Sequence, residues 1–216
     1  MLWKVDLEDN GERVDIRYNS NVDFDKLDLY QKSHYRRYEF ARDFVTPGGT
    51  CGDFACGTGY GSIMLSEKCK KVIGADIDSI VINEITSRYK KFNNVQFLMA
   101  NLLEIGYENL FESIVSFETI EHFEEQNIRS LLRVYHRALK PSGRLIFSTP
   151  YMQERSDAAL KLGFHLSFCI NEETIERWLK ESNFNAEFYK YQNYQTHTIE
   201  KDLEIKDFII CVAKRV

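Results

Sequence analysis

From Thr50 onward, short β-branched or aromatic runs alternate with helical patterns: Thr50 to Ala55, Tyr60 to Lys70, Lys71 to Ile77, Ser79 to Lys90, and Val95 to Met99. Parallel strands need a crossover of about a dozen residues or more, and a helix is the usual one. The alternation therefore predicts βαβ units and a mostly parallel sheet with helices on both faces. The pattern continues with a strand over Ser113 to Phe117 and a helix from Glu124 to Leu139 that sets Ile128, Leu131, Leu132 and Tyr135 on one face. Pro141-Ser142-Gly143 reads as the stop of that helix, and a strand from Arg144 to Ser148 runs into Thr149-Pro150. The last helix is expected to start at Asn171 as N-cap, with Glu172 and Glu173 in its first turn, and to bury Ile175, Trp178 and Leu179. Asn183 takes the place of the usual glycine at its left-handed stop. Ala186 to Tyr191 and Lys206 to Ala213 follow with no crossover helix between them, so they imply a hairpin and an antiparallel last strand. The count is seven strands.

Ahead of this unit, Asp23 to Val45 reads as a helix with Tyr30, His34, Arg37, Ala41 and Phe44 on one stripe, ended by Pro47-Gly48-Gly49. The chain divides into an N-terminal helix region, 1–46, and one α/β domain, 47–216, within a single globular unit. Its 216 residues suffice for one substantial core. The formal net charge of -5 gives no positive field toward nucleic acid or an anionic membrane, so neither is an expected partner. Residues 1–6 lack a signal-peptide run, and no stretch approaches the roughly 20 apolar residues of a membrane span, so a cytoplasmic location is expected. The five cysteines form no C-x-x-C pair and read as free thiols.

Chemistry concentrates in Cys51-Gly52-Asp53-Phe54-Ala55-Cys56-Gly57-Thr58-Gly59-Tyr60-Gly61, between the first strand and the next helix. Gly57 and Gly59 allow a ligand close to the backbone, and the helix start offers free N–H groups and a positive dipole end. The dinucleotide fingerprint G-x-G-x-x-G is absent, since Gly61 and Ser62 follow Gly59, which argues against pyrophosphate binding. Asp76 ends the second strand, where doubly wound nucleotide sites place a carboxylate for two ribose hydroxyls. Asp78 reads as a helix N-cap. Asn101 offers an amide at the tip of the third strand.

In these blocks the chain resembles the class I S-adenosylmethionine-dependent methyltransferases, and within them the group of ubiquinone-biosynthesis O-methyltransferases and bacterial sugar and secondary-metabolite methyltransferases. The matching runs are Asp-Phe-Ala-Cys-Gly-Thr-Gly at 53 to 59, Gly-Ala-Asp-Ile-Asp at 74 to 78, Ser-Phe-Glu-Thr-Ile-Glu-His at 116 to 122, Leu-Lys-Pro-Ser-Gly-Arg-Leu at 139 to 145, and Ser-Thr-Pro at 148 to 150. The resemblance implies a Rossmann-like sheet, S-adenosylmethionine as cofactor and S-adenosylhomocysteine as product. It implies that Asp53, Ala55, Gly57 and Gly59 surround the methionine end, with Asp76 on the ribose. Ile77, Asn101, Leu102 and Phe117 then belong to the rest of the cofactor site. Two residues depart from the family's pattern, Ala55 at a usual glycine and Asn101 at a frequent aspartate. The helix with His34 and Arg37 resembles the family's N-terminal lid, which implies that Arg37 meets the cofactor carboxylate; solvated surface charge is the alternative for Arg36 and Arg37.

Acceptor-side groups must lie beyond the carboxyl ends of the strands. Candidates for substrate binding are Tyr30, His34, Glu118, Tyr151 and His165, with Glu121 nearby, and His122 as the acceptor-side base or positioner. His122 packing under Phe123 and His165 as a structural histidine are the competing readings. His136 and His197 read as surface residues, and Tyr189, Tyr191 and Tyr194 as sheet packing. No carboxylate cluster in the sequence points to a metal. The expected activity is O- or N-methylation of a small polar acceptor such as a sugar, metabolite or natural-product intermediate, by a monomer or homodimer. A non-catalytic, partner-binding relative and, further off, a nicotinamide-dependent oxidoreductase are the other classes the fold allows.

Overall fold

The computed structural model describes residues 13–19, 21–156 and 165–216; residues 1–6, read above for a targeting signal, lie outside them. Eight strands form one sheet: β1 (Thr50–Phe54), β2 (Lys71–Asp76), β3 (Val95–Met99), β4 (Phe111–Phe117), β5 (Leu139–Pro150), β6 (Phe184–Gln192), β7 (Ile199–Glu200) and β8 (Phe208–Arg215). Their order is β3-β2-β1-β4-β5-β8-β6-β7. β1 to β5 pair in parallel, while β8 runs antiparallel to both β5 and β6. The sequence count falls one short because β7, two residues pairing with Tyr191 and Gln192, is too brief to leave a period.

The helices are α1 (Leu29–Phe44), α2 (Tyr60–Ser66), α3 (Ser79–Arg88), α4 (Glu125–Ala138) and α5 (Glu172–Glu181). Strand residues alternate between two cores, as the pleat requires. Phe54, Ala75, Ile114 and Leu145 pack with Ile128 and Leu131 of α4 and Ile175 of α5. Cys51, Val72, Val115 and Ile146 pack on the opposite face with Ala41 of α1, Ile63 of α2 and Val81 of α3. Among the described residues, no helix is long and apolar enough to cross a membrane. All five cysteines are free thiols.

Three boundaries differ from expectation for local reasons. Asp23 caps only a short turn, Phe24–Lys26, and α1 begins anew at Asp28, whose carboxylate takes the Gln31 N–H while the Gln31 side chain takes the Asp28 N–H. α4 ends at Ala138, ahead of Pro141, because Leu139 already pairs with Phe111 as the first residue of β5. Pro141 lies inside β5, where the register shifts and Ser142 turns left-handed at φ 62°. Asn171 and Asn183 behave as read: Asn171 accepts the Thr174 N–H, and Asn183 has φ 59°.

Candidate active site

β1 has β2 on one side and β4 on the other, so the connections leave it in opposite directions and a crevice opens beyond its carboxyl end. A cavity of about 420 Å³ lies there. Ala55, Cys56, Gly57, Thr58 and Tyr60 after β1 form one wall, Asp76 and Ile77 after β2 and Asn101 and Leu102 after β3 a second. Phe117, Glu118, Thr119, His122 and Phe123 after β4 form the third, and His34 and Tyr38 of α1 with Arg13 and Val14 of an N-terminal strap cover it.

The loop after β1 turns through left-handed backbone at Ala55 (φ 63°), Gly57 (φ 49°) and Gly59 (φ 77°). Gly57 and Gly59 adopt it without strain, whereas Ala55 pays the Cβ penalty that a glycine would avoid. Asp76 Oδ2 accepts the Gly57 N–H at 3.0 Å and Oδ1 accepts the Asp78 N–H at 3.0 Å, which ties the tips of β1 and β2 together. Each oxygen keeps a lone pair for a further donor. Asp78 caps α3 through the N–H groups of Ile80 and Val81. The strap sits on these tips: Arg13 donates to Asp78 at 2.8 Å and stands 3.6 Å from Asp76, while Thr58 Oγ1 donates to the Val14 carbonyl.

Asp53 lies beneath the loop and does not line the cavity. Fully buried, it accepts from Tyr38 Oη at 3.0 Å and Ser62 Oγ at 2.6 Å. Burial raises its carboxyl to about 6, against the Ser62 and Tyr38 hydrogen bonds that favour the charged form, with Asp76 adding repulsion. The folded protein thus holds a proton here that the unfolded chain releases near pH 4, so this group costs stability as pH rises from about 4 to 6, on the order of 3 kcal/mol by the linkage. Asp53→Asn, which keeps an acceptor but no charge, should melt increasingly above wild type over that window and by a constant margin beyond it. Thermal melts across the window test this, and a pH-independent margin would refute it.

Arg37 is fully buried, which removes the surface-charge alternative; Arg36, paired with Glu39, is the exposed one. Arg37 Nη1 donates to Gln192 Oε1 at 3.0 Å and stands 3.8 Å from Glu118, and the guanidinium lies over the Phe208 ring. It does not reach the cavity lining. Arg37 Nε and Nη2, Tyr60 Oη and His34 Nε2 are all buried and lack hydrogen-bond partners among the described residues. Burial, with Arg37 adding to it, pushes His34 well below its ordinary value, so its imidazole is neutral.

On the β4 side, Glu118 takes left-handed backbone (φ 47°), a strained state for a non-glycine residue, and accepts the Ser148 hydroxyl at 2.6 Å. Glu121 is buried, and burial, with Glu118 beside it, holds its carboxyl well above the usual range. Its carbonyl accepts the N–H groups of Leu166 and Ser167 at 2.7 and 3.0 Å, which brings His165 against His122 with ring centroids 5.2 Å apart. His165 itself is outside the cavity lining.

Of the other expected residues, Asn101 turns inward on its own loop, its carbonyl capping the Leu103 N–H and its amide donating to Glu104. Tyr30 packs on His34 and Tyr194, and Tyr151 on Tyr191 with its hydroxyl on Glu172; neither lines the cavity. Gly59 shapes the loop from behind. His136 and His197 lie half-buried at the surface, packed on Phe184 and Phe24. Sequence reasoning missed Arg13, Tyr38, Tyr60 and Phe123. Tyr60 beside Gly59 carried a positional signal, but nothing in the sequence placed Arg13 over Asp76.

Residues 52–143 match the family described as a methyltransferase domain. A probable S-adenosylmethionine-dependent methyltransferase of Mycobacterium tuberculosis is 31% identical over 120 residues, 54% of this chain and 42% of that protein. The ubiquinone biosynthesis O-methyltransferase of Rickettsia akari is 28% identical over 179 residues, covering 81% of this chain and 64% of that protein. The chain thus spans between about two fifths and two thirds of the length of these relatives. The N-methyltransferase NodS of Bradyrhizobium japonicum, solved with S-adenosylhomocysteine, superposes with a TM-score of 0.66 at 17% identity over 91% of this chain and 93% of that one, a likeness of fold.

Proposed function

We propose that this chain, which belongs to the class I S-adenosylmethionine-dependent methyltransferases, moves the methyl group of S-adenosylmethionine to an oxygen or nitrogen of a small polar acceptor. The observation that carries the reading is a set of buried, unanswered donors beside a glycine loop and a ribose-type carboxylate. Arg37 Nε and Nη2 point to an anion, and the cofactor's carboxylate is one. Asp76 keeps one lone pair on each oxygen for two ribose hydroxyls, and Ile77, 70% exposed at the cavity mouth, with Leu102 offers apolar cover for the adenine. Bound in this way, the cofactor supplies an electrophilic methyl group on a sulfonium.

The chain's own task is then alignment and exclusion of water, since a direct displacement needs acceptor, methyl carbon and leaving sulfur in line. Tyr38, Phe117 and the Arg13–Val14 strap close the site from solvent, and Glu118 and His122 form the remaining, polar wall. His122 is the group that meets the acceptor, fixing its position or taking its proton. A cavity of about 420 Å³ among the described residues supports a small acceptor.

Calorimetry with S-adenosylmethionine tests the reading. Wild type should bind it, and Asp76→Ala should bind about tenfold more weakly or worse, since hydrogen bonds to a charged group contribute about 1.5–3 kcal/mol each. Equal affinities, or no binding by wild type, would overturn the assignment. A screen of sugars, phenols and amines for S-adenosylhomocysteine release then identifies the acceptor.

A further inference from the structure

We propose that Tyr151, Tyr191 and Glu172 form a binding site for an alkylammonium ion, which the side chain of Lys206 occupies as an internal stand-in. The two phenol rings meet at 71° with centroids 5.3 Å apart, so they make two walls of a corner. Both hydroxyls donate to the Glu172 carboxylate, that of Tyr151 at 3.2 Å, which places a negative charge beside the rings. Lys206 Nζ stands in the corner, 3.8 Å from the Tyr191 centroid and 5.7 Å from that of Tyr151. A cation within about 6 Å of a ring centroid is attracted by the negative face of the ring, and paired aromatic walls are suited to substituted ammonium ions.

Backbone pairing fixes the walls. Tyr151 follows β5 and Tyr191 lies near the end of β6; β8 is antiparallel to both, so the two tyrosines stand at the same end of the sheet as the cavity. The residue after Lys206 is clamped between them: the Asp207 carbonyl accepts the Tyr151 N–H at 2.9 Å, and the Asp207 N–H donates to the Gln192 carbonyl at 3.0 Å. Glu172 lies in the first turn of α5, where the helix dipole favours a carboxylate. Burial acts to raise its carboxyl, but the Tyr191 hydroxyl, its own N–H and the Tyr151 hydroxyl hold it below the usual range, so it is ionised. Tyr191 is buried, whereas Tyr151, Glu172 and Lys206 are half-buried, so the corner is reached from solvent. The lysine side chain, on its flexible four-carbon stem, is the member that can move away.

Hydration decides what displaces it. A tethered amine competes at an effective concentration on the order of millimolar, so a ligand must bind the corner better than lysine does. The ammonium of lysine is compact and strongly hydrated, and it loses much of that hydration on the rings. An ammonium carrying alkyl groups holds water less strongly and lays apolar surface on both rings. The corner therefore selects tertiary and quaternary ammonium groups over primary ones. Under the methyl-transfer reading it selects acceptors that carry such a group; the binding itself does not rest on that reading.

Calorimetry of the full chain with tetramethylammonium, and with neopentyl alcohol as an uncharged counterpart of similar size, provides the test. Lys206→Ala should bind tetramethylammonium at least about tenfold more tightly than wild type, because the internal competitor is gone, and should show no comparable gain for the alcohol. Adding Tyr151→Leu or Glu172→Gln to Lys206→Ala should remove the gain. Melting curves show that the variants fold, and two substitutions on different elements keep the outcome readable. Equal tetramethylammonium affinity in wild type and Lys206→Ala, an equal gain for the alcohol, or a gain that survives both further substitutions would each overturn the site. S-adenosylmethionine affinity measured on the same samples separates the two proposals: cofactor binding without tetramethylammonium binding removes only the ammonium site, and the reverse removes only the methyl-transfer reading.

Discussion

Replacing His122 with alanine is expected to lower methyl transfer by about a hundredfold or more while S-adenosylmethionine affinity is kept. The side chain lines the cavity on the β4 wall, away from Arg37, Asp76 and the glycine loop that the cofactor would use. The backbone N–H of His122 closes its turn on the Thr119 carbonyl, and alanine keeps that bond. The competing reading, in which His122 only packs under Phe123, predicts a lower melting temperature and turnover within about threefold of wild type. Turnover with the acceptor found by screening, measured beside the melting curve, decides between them.

Gly61→Ala should cost about 2 kcal/mol or more, a fall in melting temperature of roughly 4–8 °C for a domain of this size. A Cβ at Gly61 would lie 2.1 Å from Tyr38 Cζ and 2.2 Å from Cε1. The ring cannot swing away, because it is buried edge-on against Tyr60 and Phe117 and its hydroxyl is held by Asp53. The better helix propensity of alanine offsets only about 1 kcal/mol. Since Tyr38 lines the cavity, the displaced ring should also weaken cofactor binding. In a double-mutant cycle, Tyr38→Ala should relieve most of the clash, so that the two losses do not add. A variant melting within about 1 °C of wild type would show that α1 and α2 can separate freely.

The architecture was legible because its signals are periodic. Parallel strands with both faces buried give unbroken runs such as Val72 to Ala75, and the helices between them show one apolar stripe, as α4 does with Ile128, Leu131 and Tyr135. Caps at Asp78 and Asn171 also followed from local chemistry. Boundaries decided by long-range pairing did not: Leu139 leaves α4 for β5 because Phe111 stands opposite, a partner 28 residues away. The site divides in the same way. Residues at strand tips (Ala55, Gly57, Asp76, Ile77, Leu102, Phe117 and His122) lie where topology sends them, in the cavity wall. Arg37 pointed to the right helix face, but its burial against Gln192 and Phe208 joins segments about 155 residues apart. The closeness of His165 to Glu121 likewise depends on how the chain after β5 returns, which no spacing encodes.

β8 completes the interior of the sheet although it follows every other strand, inserting between β5 and β6 with antiparallel ladders on both sides. Until the chain has been synthesised through Arg215, β5 exposes one open hydrogen-bonding edge and β6 another, each flanked by apolar residues that are buried in the finished sheet. Closure therefore comes late, through contacts of long sequence separation, and folding is slower than for a protein of mainly local contacts. A nascent chain stalled before residue 208 presents two unpaired strand edges, the condition in which intermediates associate with other chains. Productive folding therefore waits for the synthesis of β8.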